Sequence, residues 1–167
     1  MFFLLIGCES SPLFIANKTQ INCPIILFSK EHSKYIAFNN NNTDLDNIIF
    51  KAEINNTIFE KYCYLENDSF KGELSILFLV KSYQEIEDII NLPFYIAILN
   101  MNNKLLDLQY YSADGYLKSD LKSDLESNVE LQTEIIRKIS LEILNEKKPS
   151  KIILGFMLDE NKLKLLN

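Results

Sequence analysis

The sequence predicts an all-β domain, an immunoglobulin- or fibronectin-like sandwich of seven or eight strands. Three observations carry this. Short apolar or alternating runs recur along the chain; turn residues such as Asn67-Asp68-Ser69 and Asn102-Asn103 separate them; and helical spacing of apolar residues is confined to two short stretches.

The first strand is expected over Ile21 to Phe28, where β-branched residues surround Pro24, a residue suited to an edge or a strand start. Tyr35 to Phe38 continues the pattern, and Asn39 to Asp46 is a polar loop. Phe50, Ala52 and Ile54 then alternate with Lys51 and Glu53, the signature of a half-buried strand. Phe59 to Leu65 follows with Cys63. Gly72 to Tyr83 places Leu74, Ile76, Phe78 and Val80 on one face and Leu77 and Leu79 on the other, so this strand should be central. Phe94 to Met101 and Lys104 to Tyr111 flank Asn102-Asn103, a two-residue hairpin signal because Asn tolerates positive φ. Asp114-Gly115 is a further turn signal.

One short helix has two candidate places, 84–90 and 131–138. Leu131, Ile135, Ile139 and Ile143 fit a helical face, whereas Ile139, Leu141 and Ile143 fit alternation. We favour a strand from about Ile136, pairing with a last strand from Lys151 to Leu158 across a turn at Asn145 to Ser150. Leu-Lys-Ser-Asp occurs twice in tandem after Tyr116 and reads as an expansion in a tolerant loop.

At 167 residues the chain holds one domain with a real core, and 47% apolar with 24% charged residues is ordinary globular composition. A net charge of −6 with a single arginine, Arg137, argues against a nucleic-acid binder, and Lys147, Lys148 and Lys151 read as a short solvated cluster.

The N-terminus carries the strongest functional signal. Met1 to Gly7 is uncharged and almost wholly apolar, Cys8 follows, and the texture turns polar at Glu9-Ser10-Ser11-Pro12. Leu5-Ile6-Gly7-Cys8 resembles a lipobox, where a small residue admits the signal peptidase and the cysteine thiol is acylated. The apolar run is shorter than the usual 7–15 residues and lacks a basic n-region, which fits a start placed downstream of the true one. The domain plan is therefore 1–7 signal remnant, 8–19 lipidated tether, 20–167 sandwich. The alternative for Phe2 to Ile6 is a first core strand with an incidental cysteine.

With Cys8 assigned to lipid, Cys23 and Cys63 form an even pair, suited to one disulfide in an oxidising compartment. The alternative is two buried thiols acting as small hydrophobes. No metal site is expected: there is one histidine, His32, and no closely spaced cysteine pair.

Several segments together carry a resemblance: Cys23-Pro24, Lys61-Tyr62-Cys63-Tyr64, Leu92-Pro93-Phe94-Tyr95 through Leu99, and the closing Ile152-Ile153-Leu154-Gly155-Phe156-Met157-Leu158. In that order, from about Cys8 to Leu158, they resemble a family of uncharacterised lipoproteins of alphaproteobacteria. The resemblance implies acyl chains on Cys8, a sandwich-like body and a strand near Ile139, and it implies no activity. The chain departs from the family in its short signal segment and in the Lys-Ser-Asp-rich insertion.

No catalytic residue is assigned. His32 sits in the charged stretch Lys30-Glu31-His32-Ser33-Lys34 and reads as a solvated loop residue, and all four glycines are isolated. The carboxylate pairs Asp44/Asp46, Glu85/Glu87 and Asp159/Glu160 read as surface loops or turns. Tyr110, Tyr111 and Tyr116 are the candidates for a partner-binding patch, with strand-face packing as the alternative. The expected function is a non-enzymatic envelope lipoprotein without cofactor. It would face the periplasm from the outer membrane, in preference to the inner, and bind a protein partner. The alternatives are a carrier or chaperone for an apolar ligand or unfolded subunit and, remotely, a hydrolase.

Overall fold

The computed structural model describes residues 18–39, 45–84, 87–118, 132–144 and 148–166. Cys8 and most of the expected tether, the Leu-Lys-Ser-Asp repeat after Lys118, Asp44 and Glu85 lie outside the described residues.

The chain forms an all-β sandwich of two sheets over one apolar core. Ten strands are described, more than the seven or eight expected. They are β1 (Lys18–Ile21), β2 (Ile25–Phe28), β3 (Lys34–Phe38), β4 (Ile48–Phe59), β5 (Cys63–Glu66), β6 (Ser69–Ser82), β7 (Glu87–Leu99), β8 (Leu105–Lys118), β9 (Gln132–Ile143) and β10 (Lys151–Phe156). Sheet A runs β1-β5-β6-β4-β3 with β9 on the other edge of β6, and sheet B runs β2-β10-β7-β8.

The centrality expected for β6 is present: β5 and β4 share one edge and β9 covers the other along Phe70 to Lys81. Leu74, Ile76, Phe78 and Val80 point inward and are fully buried, while Leu77 and Leu79 lie on the outer face, half-exposed. Between the sheets Phe78 meets Phe94 at 5.2 Å and Phe156 at 5.7 Å between ring centroids, tilted contacts that favour aromatic packing.

The turns follow the asparagines. Asn67 and Asp68 take positive φ, 49° and 63°, between β5 and β6. Asn103, at φ 58°, closes the β7–β8 hairpin, and the Asn100 side chain accepts bonds from the Asn102 and Lys104 N–H groups, 2.9 Å each.

Four expectations are corrected. The run from Ile21 to Phe28 is not one strand. Pro24, which has no N–H for a ladder, marks the point where the chain leaves sheet A after β1 and joins sheet B as β2, parallel to β10. Asp114-Gly115 is no turn but lies within β8, where the missing Cβ of Gly115 lets β8 press against Ile135 of β9. Neither helix place is helical over its described residues: β7 begins at Glu87 and β9 spans Gln132–Ile143, and the helix is instead α1 (Glu160–Leu166). Finally, β9 does not pair with β10. It pairs with β6 in sheet A, whereas β10 lies between β7 and β2 in sheet B.

The Asp159 carboxylate caps α1, accepting the Lys162 N–H at 2.9 Å, and this bond holds its pKa below the usual aspartate value. Among the described residues no helix is long and apolar enough to cross a membrane.

Cys23 and Cys63 form a disulfide with 5.1 Å between Cα atoms, tying the β1–β2 switch to the start of β5. Its loop of 40 residues in sequence separation is worth about 4 kcal/mol by chain entropy. The double variant Cys23→Ala/Cys63→Ala should therefore lose about 2–4 kcal/mol in urea unfolding. An unchanged midpoint would show that the bridge does not restrain the unfolded chain.

Candidate functional site

In β7, Ile90, Leu92, Phe94, Ile96 and Ile98 point into the core, and in β10 so do Ile152, Leu154 and Phe156. The alternate residues of both strands point away from sheet A, and most of them are apolar too. Registers across sheet B line these outward residues into rows. One row is Ile25, Lys151, Leu99 and Leu105; the next is Leu27, Ile153, Ala97 and Leu108. A third is Gly155, Tyr95 and Tyr110, and further along Ile89 stands opposite Tyr116.

The result is a largely apolar face across all four strands from the row of Ile25 to that of Tyr110, with Ile89 and Tyr116 set apart from it by the Asn91–Asp114 pair. Ile25 is 63% exposed, Ile89 69% and Tyr110 61%, so the face has side chains available to a second surface. Gly155 carries the shape of its middle: a Cβ there would fall 2.6 Å from the Tyr95 hydroxyl, so the ring lies over the glycine. Polar groups interrupt the face in two places, Lys151 in the row of Ile25 and Leu105, and the Asn91–Asp114 pair between Tyr110 and Tyr116. Lys151 Nζ reaches Asn103 Oδ1 at 2.7 Å, and Asn91 donates to Asp114 at 2.6 Å.

The outer face of sheet A is mixed: Ile58, 63% exposed, and Ile136, 61% exposed opposite Leu77, share it with ion pairs. Lys71 joins Glu66 at 2.9 Å and Glu142 at 3.5 Å, Lys61 joins Glu73 at 2.8 Å, and Lys138 joins Glu60 at 2.6 Å. The Lys71 ammonium lowers the Glu66 pKa, chiefly by donating a hydrogen bond. Such exposed pairs add little stability but keep the face hydrated.

The three sequence-predicted tyrosines separate. Tyr110 and Tyr116 stand on the open face, 61% and 56% exposed. Tyr111 points the other way, stacks on Phe94 at 5.7 Å between centroids, and donates its hydroxyl to Gln109 at 2.6 Å. Burial raises its pKa, and the phenol stays protonated. Strand alternation alone forbids neighbours 110 and 111 from facing the same side.

His32 corrects the solvated-loop reading. It is half-buried at the foot of the open face, edge-on to Tyr95 at 5.7 Å, with Nδ1 3.2 Å from the Phe156 carbonyl. The Phe156 N–H donates to the His32 carbonyl at 2.7 Å, so the residue clips β10 to the β2–β3 loop. Among the described residues no cluster of three His, Cys, Asp or Glu side chains could hold a metal. Beyond sheet B, a groove of about 320 Å³ lies where α1 meets sheet A, lined by Ile36, Leu165 and the side chains of Lys34, Lys51 and Glu53.

No protein-family model matches the chain, and no curated protein or solved structure matches it either.

Leu108→Asp and Tyr110→Asp should cut binding of an apolar fluorescent dye while moving stability by no more than about 0.5 kcal/mol, as surface changes do. Ser140→Asp, on the outer face of sheet A, should change neither reading. Dye binding that persists in both sheet-B variants would place the accessible apolar surface elsewhere.

Proposed function

We propose that the protein is a bacterial envelope lipoprotein, held to its membrane by acyl chains on Cys8, whose non-catalytic sandwich docks a second protein on the open face of sheet B. The observation that carries the docking role is that face. Sheet B is apolar on both sides, and sheet A covers only one of them. Large uncovered apolar patches rimmed by polar groups mark interaction surfaces. Tyr95, Tyr110 and Tyr116 supply amphipathic aromatic anchors of the kind that concentrate binding energy.

Export is supported by two features. Leu5-Ile6-Gly7-Cys8 has the lipobox pattern, and the Cys23–Cys63 disulfide suits an oxidising compartment. The resemblance to alphaproteobacterial lipoproteins points the same way. In this reading the body faces the periplasm from the outer membrane. One acyl chain anchors only marginally, at about 0.8 kcal/mol per buried methylene, and two or more hold firmly.

A second reading rests on the same surface: the open face would hold an extended segment of an unfolded subunit, as a chaperone does. An apolar ligand carried inside is less well supported, because fully buried side chains such as Phe70, Phe78, Phe94 and Phe156 fill the space between the sheets.

The anchor is tested by intact mass of the protein taken from its host membranes, beside Cys8→Ser. The expected result is a mature chain beginning at Cys8 with acyl groups, absent in the variant, which should move to the soluble fraction. An unmodified chain retaining Met1 would remove the lipoprotein reading and leave the docking face to be judged alone.

A further inference from the structure

The chain enters the described structure at Lys18, opposite Glu66 and beside the Asn67-Asp68 turn. Two other connections lie at the same end of the sandwich. Ile143, the last residue of β9, pairs with Phe70 next to that turn, and the Ser150 N–H donates to the Leu99 carbonyl at 2.8 Å, beside the Asn100–Lys104 hairpin. Met101 at the tip of that hairpin is 83% exposed and Leu144 is 63% exposed.

Lysines surround these apolar tips. Lys104 and Lys148 are exposed at this end, Lys18 is exposed with its ammonium 3.6 Å from the centre of the Tyr64 ring, and Lys151 reaches across the hairpin to Asn103. Glu66 and Glu142 both pair with Lys71, whereas Asp107 accepts only from neutral groups, the Gln109 amide at 2.7 Å and the Leu108 N–H at 2.9 Å, and Asp68 lies in the turn. Among the described residues the five lysines Lys18, Lys71, Lys104, Lys148 and Lys151 outnumber the four carboxylates Glu66, Asp68, Asp107 and Glu142 by one, so in a chain of net charge −6 this end carries a small local positive excess.

Chain length rules out the opposite end as the one that faces the membrane. From Cys8 to Lys18 the fully extended chain spans at most about 35 Å. The 14 residues of β8 alone run about 46 Å. A body tethered at Cys8 is thus held by the end that carries Met101 and Leu144.

We propose that this end is a membrane-contact surface for a bilayer containing anionic phospholipid. Met101 and Leu144 enter the interface, and Lys18, Lys104, Lys148 and Lys151 lie at headgroup level. The orientation rests on acylation at Cys8, whereas the contact surface is a property of the body and can be tested without lipid on the chain.

The test is sedimentation of the full-length chain carrying Cys8→Ser with vesicles of phosphatidylcholine alone or mixed with phosphatidylglycerol. We expect binding to the anionic vesicles, weakened by salt. Met101→Asp with Leu144→Asp should lower it at least tenfold. Lys104→Ala or Lys148→Ala should each lower it about fivefold, the factor given by about 1 kcal/mol per lysine. Urea unfolding of each variant controls for folding.

No binding to anionic vesicles, or binding unchanged by all of these substitutions, would overturn the proposal, the latter assigning it to the apolar segment 1–6. Binding abolished by Tyr110→Asp would also overturn it, placing the lipid on the open face of sheet B. The mass of the Cys8 species reports on the anchor separately, so the two readings fail independently.

Discussion

A sandwich can cover only one face of each of its sheets, and sheet B here is apolar on both. Ile96, Ile98 and Ile152 must be buried against sheet A, and their strand neighbours Ala97, Leu99 and Ile153 then emerge on the outside whether or not anything covers them. Leaving a large apolar side chain in water forfeits about 1.5–3 kcal/mol that its burial would return. The isolated fold carries this cost across four strands, which is the physical reason for reading the face as an interface. Sheet A carries less of this cost, since ion pairs share its outer surface with Ile58, Leu77, Leu79 and Ile136.

The rest of the architecture holds that face in place. The disulfide and Pro24 together let the first part of the chain serve both sheets, β1 antiparallel to β5 and β2 parallel to β10. On the opposite flank β8 of sheet B meets β9 of sheet A, where Gly115 admits Ile135 and Gln109 donates to the Glu142 carbonyl at 3.1 Å. Both flanks of the open face are thus fastened to the layer beneath, which suits recognition with little ordering cost.

Much of this was legible in the residues. The two-sided apolar run of β6 demanded a central position, and positive φ falls at Asn67, Asp68 and Asn103 inside the marked turns. The β7–β8 connection nonetheless runs from Asn100 to Lys104 and is not the two-residue turn expected at Asn102-Asn103. The alternation in Ile139, Leu141 and Ile143 correctly favoured a strand but carried no information about its partner. Hairpin proximity suggested β10, yet the inward set of β9 completes the core beside β6. Asp114-Gly115 misled because a glycine reads the same in a turn and at a close approach between strands. For the candidate site, Tyr110 and Tyr116 were identifiable and Tyr111 was separable by parity. The breadth of the open face was hidden, because it is assembled from β2, β10, β7 and β8, whose adjacency only the fold reveals.

The central claim is that the outer face of sheet B is covered by another protein in the envelope. The most direct measurement places a photo-activatable cross-linking side chain at Tyr110 in the living host, beside one at Ser140 on the outer face of sheet A. Position 110 should yield a discrete protein adduct that position 140 does not. Equal labelling at both positions, or none at 110, would contradict the account and leave the apolar face without a protein partner.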